Sequence, residues 1–307
     1  MDEIKTVAII GLGALGTLFG NLLSKRMGKE DLRIIADDDR KARYLREKVY
    51  ANGEVCDFHY AAPEEIMPPA DLVLIAVKYL QLSGAIKAIH QQVGPNTLIL
   101  SLLNGITSEE MIAKAYGMDR VVYCVAQGMD AVKEGGRLTY KNTGMLCIGP
   151  PDGGPVPDKV RRVAEFFGSV DFPFEVDEHM EKRMWGKFML NVGVNQTVAV
   201  FGPDYGAIQR EGSQRDTMIA AMREVIALSK PEGVHLSGGD LQYWLRLLGT
   251  LDPRGKPSMR QDVEARRQSE VALFAGTVLK LSQKHNIPAP VNRMLYDKIM
   301  AIEAQYQ

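Results

Sequence analysis

Over the first hundred or so residues, short, mainly apolar runs alternate with segments of helical spacing. The runs are "TVAIIG" from residue 6, "LRIIA" from 32, "LVLIAV" from 72 and "TLILSLL" from 97. Runs this short, rich in β-branched residues and flanked by turn residues, predict strands. The third has no polar break and predicts a strand covered on both faces, as in a parallel sheet. The stretch 121–149 alternates more strictly and carries Gly-rich turns, which predicts antiparallel strands added to the same sheet. "PPDGGPVPDK" (150–159) reads as a linker, but "VRRVAEFFGSV" and "FPFEV" follow it as a further helix–strand unit. The first domain is therefore expected to span 1–178.

From Asp177 onward strand signals nearly vanish. Asp177 is expected to cap a long helix through "EHMEKRMWGKFMLNVGVNQTVAVFG", ending at "GPDYG". Four later segments carry 3.6-residue apolar spacing, and 258–286 reads as one long amphipathic helix that would suit a homodimer. The second domain, 179–307, is expected to be all helical. The predicted fold class is an α/β N-terminal Rossmann-type doubly wound sheet followed by an all-α C-terminal domain.

Composition narrows the function. With 37 Lys and Arg against 38 Asp and Glu, the net charge of −1 gives no reason to expect nucleic acid or an anionic membrane as partner. No apolar run reaches the roughly 18 residues needed to span a bilayer. The start, "MDEIKTVAIIG", enters a strand rather than a signal peptide. Cys56, Cys124 and Cys147 form no CxxC pair, and the five histidines have no ligand spacing. No metal is expected, and a cytoplasmic protein with buried thiols is.

The first chemical signal is Gly11-Leu12-Gly13-Ala14-Leu15-Gly16, which follows a strand and opens a helix. In a dinucleotide-binding turn the first glycine allows the tight bend, the second lets a pyrophosphate approach, and the third allows helix–strand packing. Asp37 lies 21 residues beyond Gly16, at the end of the second strand. A carboxylate there accepts ribose hydroxyls of NADH and repels the 2′-phosphate of NADPH. Arg40 and Lys41 follow at once and could pair with that phosphate, so the residues leave the choice open. "DDDRK" is equally well a solvated helix start. Lys78 and Asn104 end the third and fourth strands, where ligands of open parallel sheets bind, although Asn104-Gly105 is also a common turn.

The second signal lies in "MWGKFMLNVGVN" (184–195), where Lys187, Asn191 and Asn195 sit four apart among apolar residues. That spacing places them on one helix face, rising about 6 Å per step. The lysine could instead snorkel to solvent, and the amides could be satisfied core groups.

The glycine motif, Lys78, Asn104-Gly105, "KFMLNVGVN" (187–195), "SMRQD" (258–262), "RQSE" (267–270) and "PVN" (290–292) stand in the order seen in ketopantoate reductases (2-dehydropantoate 2-reductases). The chain resembles that family over essentially its whole length. The resemblance implies reduction of a small 2-keto acid by NADPH, with NADH admitted by Asp37. It implies Lys187 as the proton donor to the C2 oxygen, a role suited to an ammonium beside a developing alkoxide. It implies Asn191, Asn195, Ser258 and Asn104 as substrate-binding groups. Glu270 would orient the substrate hydroxyl, and Asn104 and Ala131 would contact the cofactor. On the residues alone, Glu270 could simply pair with Arg266 or Arg267 one turn away.

The chain departs from the family at four places. Asp37 replaces an arginine, Arg266-Arg267 replaces Gly-Arg, Ala272 and Ala275 replace polar residues, and Tyr205 stands where an asparagine is expected. Reduction of another 2-keto acid is therefore the nearest alternative. Readings from other classes are a non-catalytic dinucleotide sensor, which would have no use for Lys187 and Glu270, and a helical scaffold, which predicts a dry, packed 187–195 face.

Overall fold

The computed structural model describes residues 3–306. The chain divides into two compact units, Met1–Met180 and Glu181–Gln307. The first is an α/β unit and the second is helical.

The first unit runs β1 (Val7–Ile10), α1 (Ala14–Ser24), β2 (Leu32–Ile35), α2 (Asp38–Glu47), β3 (Tyr50–Ala51), β4 (Glu54–Val55), β5 (His59–Ala61), β6 (Leu72–Ile75), α3 (Leu82–Ala88), β7 (Leu98–Ser101) and α4 (Ser108–Tyr116). It continues with β8 (Val121–Met129), β9 (Val132–Glu134), β10 (Arg137–Thr139), β11 (Thr143–Gly149), α5 (Asp158–Ser169) and β12 (Phe174–Val176). Eight strands form one sheet in the order β12-β11-β8-β7-β6-β1-β2-β5. All neighbours are parallel except β8 and β11.

Every residue of β1, β2, β6 and β7 is buried. The two-residue period of a strand divides them between two cores. Val7, Ile9, Leu72 and Leu74 join Leu18, Phe19, Phe166 and Phe167 on one face. Ala8, Ile10, Val73 and Ile75 join Leu82, Ile86 and Ile112 on the other. Helices thus cover both faces, which explains why the sequence shows continuous apolar runs there. The expected antiparallel addition appears as β8 and β11, and α5 with β12 completes the sheet. The β9–β10 hairpin instead joins β3 and β4 in a separate four-stranded sheet, order β4-β3-β10-β9.

The helical unit follows with α6 (Met180–Phe201), α7 (Gly206–Gln209), α8 (Ser213–Ser229), α9 (Gly238–Gly249), α10 (Ser258–Glu264), α11 (Ala275–His285) and α12 (Pro290–Glu303). Its centre is α6, about 33 Å long at 1.5 Å per residue. Two of its glycines set how it is gripped. A Cβ at Gly186 would lie 2.4 Å from the Trp244 indole nitrogen of α9, and one at Gly193 would lie 2.5 Å from Cγ of Met222 in α8. Each glycine costs the helix up to about 1 kcal/mol, which the close approach offsets. Gln196 joins α6 to two more helices, donating to Asn292 Oδ1 at 3.0 Å and accepting from the Ala275 N–H at 3.1 Å. Glu224 of α8 accepts from the Val291 and Asn292 N–H groups, a carboxylate at the positive end of α12.

Two expectations are corrected. Asp177 does not cap α6: the helix starts at Met180, and the Asp177 carboxylate instead accepts from the His179 N–H at 2.8 Å. Nor is 258–286 one helix. Arg266 adopts a left-handed conformation (φ 49°), and the Arg266 and Arg267 N–H groups bond back to the Val263 and Asp262 carbonyls, a Schellman closure of α10. Val271, Leu273 and Phe274 then bury as a compact turn rather than as a helical stripe. The long amphipathic surface expected to serve a homodimer is therefore absent.

Candidate functional site

In the α/β unit, the candidate residues gather at the carboxyl ends of adjacent parallel strands. From β1 the chain passes through α1 to β2 on one side, while β6 lies on the other. The order reverses between β1 and β6, which is where open α/β sheets bind ligands. Gly11–Gly16 follow β1, Asp37 follows β2, Lys78 follows β6, Asn104 follows β7 and Ala131 follows β8.

The three motif glycines are not equivalent. Gly11 has φ +96°, and a Cβ there would lie 2.8 Å from the Ala76 backbone. A Cβ at Gly16 would lie 1.9 Å from the Gly11 carbonyl oxygen. Both are required by the protein's own packing. Gly13 has an ordinary φ of −71°, and a Cβ there meets only the Ala76 oxygen at 3.6 Å. Nothing in the polypeptide needs glycine at 13, whereas a phosphate resting on the turn does. Gly13 is also the N-cap of α1 and brings no side-chain cap, and α1 has no acidic residue in its first turn. Its leading N–H groups thus suit an anion. These residues fit a dinucleotide.

Asp37 takes the helix-start role and keeps its exposure. Its carboxylate caps α2 by accepting from the Arg40 N–H at 2.8 Å, and it pairs with the Arg40 guanidinium at 3.3 Å while half exposed. Arg40 is thereby partnered by the very group it would need to leave to reach a 2′-phosphate. Lys78 opens a short turn three residues beyond β6. Asn104 lies in the bend after β7, before Gly105 at φ +98°. Behind that bend runs a buried hydroxyl relay: Glu109 accepts from Ser108 at 2.9 Å, Ser108 meets Ser101 at 2.8 Å, and Ser101 accepts from the Leu103 N–H. Burial pushes Glu109 up to about 7.

In the helical unit α6 carries the three residues at their four-residue spacing, and its two amides are connected. Lys187 and Asn191 are half-buried and Asn195 is buried. Asn195 donates to Asn191 Oδ1 at 3.3 Å, while its own Oδ1 accepts from Ser258 Oγ at 3.1 Å and from the Met259 N–H at 3.2 Å. Ser258, exposed at the start of α10, is thereby tied to the ladder. Asn195 is thus a coupling group whose acceptor is already used, which combines the core-amide and site readings. Glu270 lies between α10 and α11, half-buried, with its carbonyl accepting from Leu273 and Phe274. No helix runs from Arg266 to Glu270, so the alternative pairing is not a one-turn helical bridge, and Arg267 pairs with Asp262 at 2.9 Å. Tyr205 packs its ring on Gly255, where a Cβ would lie 3.0 Å from it.

Comparison with known proteins agrees with both halves. Residues 7–153 match the family described as ketopantoate reductase PanE/ApbA, and residues 179–303 match ketopantoate reductase PanE/ApbA C terminal. The chain belongs to the ketopantoate reductase family. It is an oxidoreductase with a Rossmann-type NAD(P)-binding unit and a helical C-terminal unit. It is 25% identical to the 2-dehydropantoate 2-reductase of Halobacterium salinarum, over 95% of this chain and 97% of that protein. It is also 25% identical to a PanE/ApbA family ketopantoate reductase of Ralstonia eutropha JMP134, with TM-score 0.83 over 98% of this chain and 99% of that one. D-mandelate dehydrogenase, solved with NADH and anilino(oxo)acetate, has the same fold, with TM-score 0.85 over 98% of this chain and 99% of that one, at 19% identity.

Sequence reasoning passed over Lys133 and Glu109. Lys133 sits on the β9–β10 hairpin, and its ammonium bonds the Leu12 carbonyl and, at 2.8 Å, the Thr17 hydroxyl. No local pattern marks a lysine in "DAVKEGG" as a partner of residue 12. Glu109 lies in "SEEM" beside Glu110, and only burial tells the two apart.

Proposed function

We propose that this member of the family reduces ketopantoate to pantoate with NADPH, Lys187 delivering the proton. The single observation that carries this reading is the ladder, a half-buried ammonium in register with two amides tied to Ser258. The bound dinucleotide supplies hydride. Lys187 holds a proton for the C2 oxygen, where negative charge develops, and a partly desolvated ammonium stabilises that charge more strongly than one in open solvent. Asn191, whose Oδ1 accepts from Asn195, is given the donor role toward substrate oxygens, which its amide chemistry allows. Asn195 links Asn191 to Ser258, which binds the substrate hydroxyl or carboxylate. Glu270 orients the substrate hydroxyl. Asn104, Lys78 and Ala131 serve the cofactor, with Asn104 reaching substrate as well.

A second reading is supported by one observation. Tyr205 offers an aromatic ring packed on Gly255 where the family expects a short amide. Taken as part of the substrate wall, the place the family correspondence gives it, this ring favours a 2-keto acid with a bulkier, less hydroxylated side chain. Absorbance of the reduced nicotinamide, followed with ketopantoate and with branched and aromatic 2-keto acids under NADPH and NADH, decides between them. The highest kcat/KM on ketopantoate supports the first reading, and preference for an aromatic keto acid supports the second. Dinucleotide binding without turnover of any keto acid would leave a sensor.

A further inference from the structure

Lys133 is half-buried on a hairpin, yet among the described residues no carboxylate is paired with it. Its ammonium rests on neutral oxygens, the Leu12 carbonyl and the Thr17 hydroxyl, and Thr17 is itself fully buried. A desolvated ammonium held only by neutral groups is costly, because hydrogen bonds replace its water but not a counter-charge. Burial accordingly pushes Lys133 down to about 8, with Arg43 of α2 lowering it further and the Cys56 thiol beyond β4 acting in the opposite sense. The thiol is itself pushed up to about 11 by burial, so it does not titrate in the same range.

The position of this charge gives it a use. Leu12 and Gly13 share one trans peptide, whose C=O and N–H point in opposite directions. Holding the Leu12 carbonyl therefore fixes where the Gly13 N–H aims. Gly13 is the one motif glycine that the polypeptide's own packing does not require. The hairpin is thus latched, across 121 residues of sequence, onto the turn built to receive an anion.

We propose that Lys133 is a positioning residue of the dinucleotide site: its ammonium, on the carbonyl side of the Leu12–Gly13 peptide, orients that peptide so that its N–H faces the pyrophosphate. The inference rests on the reading of this chain as a dinucleotide-dependent reductase and names a residue that reading did not use. A bound pyrophosphate on the opposite side of that peptide adds negative charge within reach of the ammonium's field and favours the protonated lysine, so binding draws a proton onto the protein at pH values near and above that at which Lys133 loses its own.

The test is titration calorimetry of the full chain with NADPH and with NADH at pH 8.5, in buffers of different ionisation enthalpy, for wild type, Lys133→Met and Lys133→Arg. Wild type is expected to take up a measurable fraction of a proton on binding. Lys133→Met is expected to bind both dinucleotides roughly 10–100-fold more weakly and to take up none. Lys133→Arg, charged at every accessible pH, is expected to restore most of the affinity while still taking up none. Wild-type affinity in Lys133→Met, or proton uptake that persists in Lys133→Arg, overturns the inference and leaves the reductase reading intact. Failure of the wild type to bind either dinucleotide removes the reading beneath it.

Discussion

Ser258 and Asn195, 63 residues apart, are joined by a 3.1 Å hydrogen bond that ties the first turn of α10 to the polar ladder of α6. The serine alone would be an exposed helix start, and the asparagine alone a satisfied core amide. Together they pass the position of α10 through Asn195 to Asn191, one turn from Lys187.

The two residues are expected to differ when removed. Ser258→Ala leaves Asn195 Oδ1 bonded to the Met259 N–H, so stability should change by less than about 1 kcal/mol. KM for the keto acid should rise roughly 5–10-fold, with kcat affected less. Asn195→Ala leaves the Met259 N–H buried and unpaired, at a cost of about 1–3 kcal/mol. Denaturant melts alongside steady-state kinetics separate the two, and an unchanged KM in Ser258→Ala would remove that hydroxyl from the substrate site.

The unequal glycines give a second expectation. Gly13→Ala should fold with nearly wild-type stability yet bind the dinucleotide at least about tenfold more weakly, because the new methyl meets the ligand rather than the protein. Gly16→Ala should lower the melting temperature of the unliganded protein, since its Cβ collides with the Gly11 carbonyl. Equal stability losses in both would mean that Gly13 serves the fold.

Glu109 makes stability depend on pH with a definite sign. Its folded-state pKa of about 7 lies above the ordinary carboxylate value, so between roughly pH 4.5 and 7 the folded state binds more protons than the unfolded one. Stability contributed by this group is therefore intact below about pH 4.5, falls as pH rises to about 7, and is constant above. Glu109→Gln should gain on the order of 2–3 kcal/mol relative to wild type between pH 5 and pH 8. Parallel urea melts at the two pH values measure it, and a difference that does not grow with pH would show the carboxylate to be ionised in the fold.

The architecture was legible because it depends on pattern. Runs such as "LVLIAV" can satisfy both faces only in a covered parallel sheet, and the glycine motif fixes the turn after the first strand. The ladder was legible because polar residues spaced by four on an apolar helix are conspicuous. The break after Glu264 was not, because it depends on Arg266 accepting a left-handed conformation, and arginine gives no local warning of that. Lys133 was invisible for a different reason: its partners lie in another part of the chain, and only the fold brings Leu12 and Thr17 to it. That the Asn195 oxygen is held by Ser258 and Met259 was likewise hidden in the sequence, because both lie more than 60 residues away and only the fold brings them to it.

The central claim is that Lys187 donates the proton. The most direct measurement is kcat of Lys187→Ala with NADPH and ketopantoate, taken together with the dissociation constant for NADPH. A positioned general acid contributes roughly 10²–10⁴-fold, so turnover should fall by at least about two orders of magnitude while cofactor affinity stays within about twofold. Turnover that survives the substitution nearly unchanged, with cofactor still bound, would contradict the account.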